Sequence, residues 1–232
     1  MKRAAFFFVL IFYIIGTYAQ SANETITILK SKLDAVKDYE AVGKLKTDVA
    51  FLKIPISNVR IYYKHPDLLR IKKDGGISVL PKGGIRISMN SLITEGKYTA
   101  IEAGRTTWKG ADLAMIKLVP DGESSDVVIT TLYVDDKSML IRKTITTTKD
   151  NGTYEMEMEY GKYAQWGLPD RAVMIFNTKD YKLPKGITFE YEASIVNKNK
   201  ATTPPSKKGR VEIIYASYEI NKGLKNDIFL EN

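Results

Sequence analysis

Two periods organise the chain. Between Glu24 and Lys37, Ile26, Leu29, Leu33 and Val36 recur at helical spacing on one face, while Lys30, Lys32, Asp34 and Lys37 mostly take the other. This predicts one amphipathic helix, with Asn23 as its N-cap. From Tyr39 the period falls to two. Tyr39, Ala41, Leu45, Val49 and Phe51 alternate with Glu40, Lys44, Lys46 and Asp48. Val59, Ile61 and Tyr63 alternate with Arg60, Tyr62 and Lys64, Leu69 and Ile71 flank Arg70, and Ile85, Ile87 and Met89 alternate with Arg86 and Ser88. Each run reads as a strand with one apolar and one polar face.

The second half keeps the habit. VVITTLYV and MLIRKTITT flank an Asp135–Ser138 turn and read as a hairpin, and Asp150-Asn151-Gly152 signals another tight turn. After it, Tyr154, Met156, Met158 and Tyr160 alternate with Glu155, Glu157 and Glu159. Further strands are expected at Ala172–Phe176, Thr188–Val196 and Val211–Glu219. About ten strands joined by short turns predict a mainly β chain, a curved antiparallel sheet or barrel. Two stretches break the rhythm. Lys109–Asp126 reads as a loop with a short helical piece, and Asn197–Gly209, rich in Lys, Thr and Pro, as an exposed mobile loop. No second domain and no repeat of fixed period is evident.

The N-terminus changes the picture of where this sheet works. Lys2 and Arg3 precede the uncharged apolar run Ala4–Ile15, which is too short to span a bilayer, and Thr17 and Ala19 form a small-x-small cleavage site. Residues 1–19 read as a cleavable signal peptide, the alternative being an uncleaved anchor, and residues 20–232 as one exported domain. The chain has no cysteine. That excludes disulfides, thiolate metal sites, a cysteine nucleophile and a lipid anchor on an N-terminal cysteine. The net charge of +8 includes Lys2 and Arg3, and acidic residues are interspersed throughout. This moderate excess fits an anionic lipid surface or an acidic partner better than nucleic acid, which an exported protein seldom meets.

Catalytic chemistry is sparse. His65 is the single histidine, so no histidine pair can hold a metal, and no serine sits in a nucleophile elbow. Gly75-Gly76 and Gly83-Gly84 lack the phosphate-loop pattern and read as turns. The row Glu155, Glu157, Glu159 reads as a solvated face rather than a cation site. No enzyme activity, metal or cofactor is expected.

The apolar faces carry more information. Phe51, Tyr63, Met89, Met156, Met158 and Tyr160 place adaptable methionine and aromatic side chains on one kind of strand face, alongside Val49, Ile61, Leu69, Ile71 and Ile87. These residues line either a packed core or a ligand cavity, and periodicity does not separate the two. One long helix, however, covers little of so large a sheet. Either the sheet closes on itself, or part of its apolar face is open to a ligand.

Three segments resemble the periplasmic lipoprotein-carrier (LolA-like) family of bacteria with two membranes. They are LKSKLDAVKDYEA (Leu29–Ala41), where an amphipathic helix runs straight into the first strand, YYKHPDLLRIKK (Tyr62–Lys73), and the tail YEINKGLKNDIFLEN, with an Asn, a short turn and a late Phe. They span most of the exported chain in the family's order, although each is short and degenerate. The resemblance implies an open, incomplete antiparallel barrel with an N-terminal amphipathic helix and a short helical lid. It further implies a monomeric periplasmic carrier whose cavity shields lipoprotein or lipid acyl chains between an inner-membrane donor and an outer-membrane acceptor. A lipid-sensing or protein-binding module on the same fold is the alternative.

Where the family has an arginine before the proline, helping to latch the lid, this chain has His65, with Arg70 nearby; both are latch candidates. The family's Asp-Gly and aromatic strand is replaced by Asp74-Gly75-Gly76-Ile77. Lys198, Lys200, Lys207 and Lys208, in the basic Pro-containing loop, are candidates for transient docking on a membrane or partner. A plain solvated connection is the alternative.

Overall fold

A computed structural model describes residues 21–48, 56–66, 68–73, 85–86, 93, 97–122, 125–150, 152–177 and 208–230. The helix α1 spans Ala22–Asp34. Its N-cap is Ser21 rather than Asn23. The Ser21 hydroxyl accepts from Glu24 N at 3.2 Å, and the Glu24 carboxylate accepts from Ser21 N at 3.1 Å. Serine with glutamate three residues on is the capping-box pattern, which satisfies two otherwise orphaned donors.

The strands run β1 (Asp38–Asp48), β2 (Ser57–Lys64), β3 (Leu68–Lys73), β4 (Ile85–Arg86), β5 (Tyr98–Trp108), β6 (Ala111–Pro120), β7 (Val127–Asp135), β8 (Leu140–Thr148), β9 (Thr153–Glu159), β10 (Arg171–Asn177) and β11 (Lys208–Ile220). A 3₁₀ turn, Ala164–Trp166, lies between β9 and β10, and a short α2, Asp227–Leu230, ends the described chain. All eleven strands form one sheet in the order β4-β3-β2-β1-β11-β10-β9-β8-β7-β6-β5. Among the described residues its ends, β4 and β5, do not pair, so the barrel is open. The β7–β8 hairpin turns where expected, with Asp135 accepting from Lys137 N and Ser138 N.

The stretch expected to be a loop, Lys109–Asp126, contains β6. Its alternation is hidden because both faces carry apolar residues. Register with β7 puts Ala114, Ile116 and Leu118 on the inner, helix-covered face, which leaves Leu113 and Met115 on the outer one. β5 escaped notice for another reason. Its pairing with β6 shifts between Glu102 and Arg105, around Gly104 at φ 86°, and the bulge breaks the period of two. The expected strand Thr188–Val196 lies outside the described residues.

The inner face is packed in two halves. Ile26 and Leu29 of α1 bury against Ile116, Leu118, Leu132, Val134, Ile141 and Met158. The other half gathers Tyr39, Ile61, Tyr63, Leu69, Ile71, Leu168 and Tyr218. In this half Tyr39 stacks on Tyr63 with centroids 5.1 Å apart, and Tyr218 meets Tyr39, Tyr163 and Tyr215 at 5.2, 4.9 and 4.9 Å. Burial raises the pKa of Tyr39 and Tyr218 and pushes Tyr215 up to about 12. The outer face is charged. Glu155 pairs with Lys143, Glu157 with Lys109, and Glu159 with Lys109 and Arg171, which also reaches Glu212. The glutamate row is thus the acidic half of an outer-face ion-pair network.

The chain ends are knotted together at the start of β1. The Asn221 amide donates to Ala35 O at 2.9 Å and accepts from Lys37 N at 2.7 Å. In return the buried Asp38 carboxylate accepts from Lys222 N and Gly223 N at 2.9 and 3.1 Å. Asn221 sits at φ 57°, a conformation asparagine tolerates better than most residues. Asn221→Ala is therefore expected to lower the unfolding free energy by about 2–3 kcal/mol in urea titration. Asn221→Gly, which keeps the backbone freedom, should recover only a small part.

Raised phenol pKa values tie stability to the neutral tyrosines. Their contribution is complete below about pH 10, the ordinary tyrosine value, and fades as pH rises through 10 toward 12 and beyond. Alkaline unfolding should therefore set in above pH 10, with the tyrosinate absorbance of the buried rings rising together with loss of β circular dichroism rather than before it.

Candidate functional site

The helix α1 is short for the face it covers. Its apolar stripe is amphipathic by spacing, and burying Ile26 and Leu29 contributes roughly 1.5–3 kcal/mol each. Its polar fastenings sit toward its ends. At the start, Glu102 of β5 accepts from Ala22 N at 3.1 Å, placing a carboxylate at the positive helix end. Toward the other end, Lys32 Nζ donates to Ser138 O and Met139 O of the β7–β8 turn at 2.9 and 3.0 Å. Desolvation lowers the Lys32 pKa. Beyond the helix, His65 N donates to Lys37 O at 2.8 Å, and His65 Nε2 lies 3.9 Å from the Asp34 carboxylate.

The 3₁₀ turn covers the other half of the inner face. Tyr163 and Trp166 pack on the tyrosine cluster. Between the two coverings runs an open groove of about 510 Å³, lined by Ile28, Ser31, Lys32, Ala35, Gln165 and Trp166. The coverings touch at Gly167, where a Cβ would lie 3.4 Å from the Lys32 stem.

The residues expected to line one apolar face divide between the two halves. Ile61, Tyr63, Leu69 and Ile71 share the tyrosine half. Met158 is buried under α1, and Tyr160 packs beside it, its hydroxyl donating to Ile141 O at 2.8 Å. Burial raises the Tyr160 pKa. Met156 is half-buried on the same face, opposite Met174 and Thr144. Val49, Phe51, Ile87 and Met89 lie outside the described residues, as do Lys198, Lys200 and Lys207. Lys208 opens β11 and is exposed.

The two latch candidates separate. His65 stands beside α1, whereas Arg70 lies opposite Tyr62, on the face away from Ile61 and Ile71. There, 1% exposed, it donates to Ile228 O of α2 at 2.7 Å. Lys64 donates to Leu224 O at 3.1 Å and also reaches Asn226. Arg70 therefore holds the chain's end rather than the helix α1.

Sequence reasoning missed Leu118, Leu132 and Val134 under α1, and Tyr215 and Tyr218 in the other half. The last two were legible as a strand, but their spacing of three hides their common face. A bulge beside Gly43 restores it, pairing Ala41 with Tyr218 and Gly43 with Tyr215. Among the described residues, no group of three or more His, Cys, Asp or Glu is placed to hold a metal. No described helix is long and apolar enough to cross a membrane.

No protein-family model matches the chain, and no curated protein is similar to it in sequence. Solved structures are similar in fold. A domain assigned to outer membrane lipoprotein sorting from Vibrio parahaemolyticus aligns over 90% of this chain and 97% of its own, at 12% identity and a TM-score of 0.53. A DUF1329 family protein from Desulfovibrio piger aligns over 91% and 98%, at 11% identity and a TM-score of 0.53. A LolA superfamily protein from Nitrosomonas europaea aligns over 88% and 96%, at 11% identity and a TM-score of 0.51. With its open eleven-stranded sheet and covering helix, the chain has the LolA-like fold in a divergent sequence.

Proposed function

We propose that this protein is an exported, periplasmic carrier, not an enzyme. It takes the acyl chains of a lipoprotein or lipid against the inner face of its sheet and passes them toward the outer membrane. The observation that carries the reading is the mismatch between a large apolar face and the cover it has among the described residues, chiefly the 13-residue α1 with Ile93 beside it, the polar fastenings of α1 lying toward its ends. Lifting α1 exposes Ile116, Leu118, Leu132, Val134 and Met158 as one surface, and the groove beside Trp166 is the seam at which a chain would enter. Each buried methylene contributes about 0.8 kcal/mol, so one acyl chain replaces what Ile26 and Leu29 supply. In this reading residues 1–19 are removed on export, residues 20–232 act as one unit, and His65 helps hold α1 down through Asp34.

The likeness to a domain assigned to lipoprotein sorting supports the cargo class. The close packing of α1 favours a second reading, a filled module that binds a protein partner. Uptake of a fluorescent fatty-acyl probe separates the two: no binding at micromolar protein would leave the filled module. Met158→Glu is expected to weaken probe binding at least tenfold, whereas Glu157→Gln, on the outer face, leaves it unchanged. Melting curves for both variants check folding, because a buried unpaired charge also destabilises. Equal binding by the two folded variants would remove Met158 from the site.

The basic loop is assigned to encounter rather than to holding the cargo. Each cation near an anionic surface adds about 1 kcal/mol, fading within a Debye length of about 8 Å at physiological salt. Replacing Lys198, Lys200, Lys207 and Lys208 with Gln should slow transfer to anionic vesicles at low salt, leave probe affinity and melting temperature unchanged, and make no difference at high salt.

A further inference from the structure

On the inner face, a patch of hydroxyls interrupts the apolar rows. Thr130, Thr144 and Thr146 are 0%, 0% and 1% exposed. Register places Thr144 between Leu132 and Met156, and Thr146 between Thr130 and Tyr154. The Thr130 and Thr146 hydroxyls bond to each other at 3.1 Å, which uses one of their two hydrogens. The Thr144 hydroxyl has no partner. Other hydroxyls of this packing are satisfied: Tyr63, Tyr160 and Tyr218 each donate to a carbonyl at 2.6–2.8 Å, and Thr148 donates to Gly152 O at 3.1 Å. Among the described residues, Thr144 is the one buried strand hydroxyl on this face left unpaired.

An unpaired buried hydroxyl costs about 1–3 kcal/mol, and valine would fill the same space without that cost. The pattern is accounted for if the missing partner belongs to a ligand. We propose that Thr144, with the Thr130–Thr146 pair beside it, is a subsite that donates a hydrogen bond to the ester carbonyl of an acylated glycerol group, while the acyl chain runs along Leu132, Met156 and Met158. This rests on the carrier reading above and deepens it. The cargo is selected by a carbonyl at a defined depth and not by chain hydrophobicity alone. A hydroxyl flanked by apolar neighbours discriminates because the ester supplies the partner that the free protein lacks, whereas the analogue without the carbonyl leaves the donor as it was, buried and unpaired.

The test is displacement of the fluorescent acyl probe by a matched pair of lipids: a monoacylglycerol, and the monoalkylglycerol ether of equal chain length, which lacks only the carbonyl. The wild type is expected to favour the ester about tenfold. Thr144→Val should bring the ester down to the level of the ether, leave the ether unchanged and raise the melting temperature. Thr144→Ser, which keeps the hydroxyl, should retain the preference. Repeating the comparison with diacylated glyceryl-cysteine peptides and their ether analogues names the source, since the pair with the larger ratio is the free lipid or the lipoprotein. Equal displacement by ester and ether in the wild type, or a preference undiminished in Thr144→Val, overturns the subsite while leaving the carrier standing. Failure of every lipid, and of the probe itself, overturns both.

Discussion

The pairing of β1 with β11 is the contact on which the rest of the structure depends. Every other neighbour among the described strands is consecutive in sequence, so these strands form two antiparallel meanders, β1–β4 and β5–β11, joined at this seam. The seam is demanding. A Cβ at Gly43 would lie 2.6 Å from Ile214 O, so only glycine lets the strands approach there. The bulge at the same place turns both Tyr215 and Tyr218 inward, and these rings with Tyr39 and Tyr63 fill the space above the junction. The Asp38–Asn221 knot locks the end of the seam, and because Asn221 also grips Ala35 O and Lys37 N, it sets where α1 leaves the sheet.

From that fixed exit the helix can reach only one half of the inner face. The division of the core follows: aliphatic and helix-covered over β6–β9, rich in tyrosine and covered by the 3₁₀ turn over β1–β3 and β11. The two halves differ in kind. The aromatic half is tied by phenol-to-carbonyl bonds and stacked rings and is suited to rigidity. Among the described residues, the aliphatic half is covered chiefly by one short helix whose contacts, apart from a few polar fastenings, are non-directional, and an acyl chain can substitute for such contacts at little difference in free energy. The proposed site belongs to the half whose cover is replaceable. The outer face, where glutamates and cations alternate in ion pairs, combines exposed pairs, worth about 0–1 kcal/mol, with more buried ones such as Arg171–Glu212 and Lys143–Glu155. This network keeps that face polar and the sheet's two sides distinct.

Much of this was decided locally and was legible in the chain. Alternation in Val59–Tyr63 and Tyr154–Tyr160 sets which residues face inward, because successive strand side chains point to opposite faces whatever the surroundings. The helix, the hairpin turn at Asp135–Ser138 and the mainly β architecture follow from equally short-range rules, whereas the cap fell on Ser21 rather than Asn23 and alternation alone left open whether the sheet closes. Where those rules lose their signal, the reading failed. β6 carries apolar residues on both faces, and β5 is broken by a bulge. The rest was decided by contacts between residues far apart in sequence. That Arg70 faces the chain's end rather than the helix, that Tyr215 and Tyr218 share a face across an irregular spacing, and that a threonine hydroxyl lies unpaired among Leu132 and Met156 all depend on strand register and on which element packs above. Register is set by the whole sheet, and no stretch of sequence shorter than the β1–β11 span contains it.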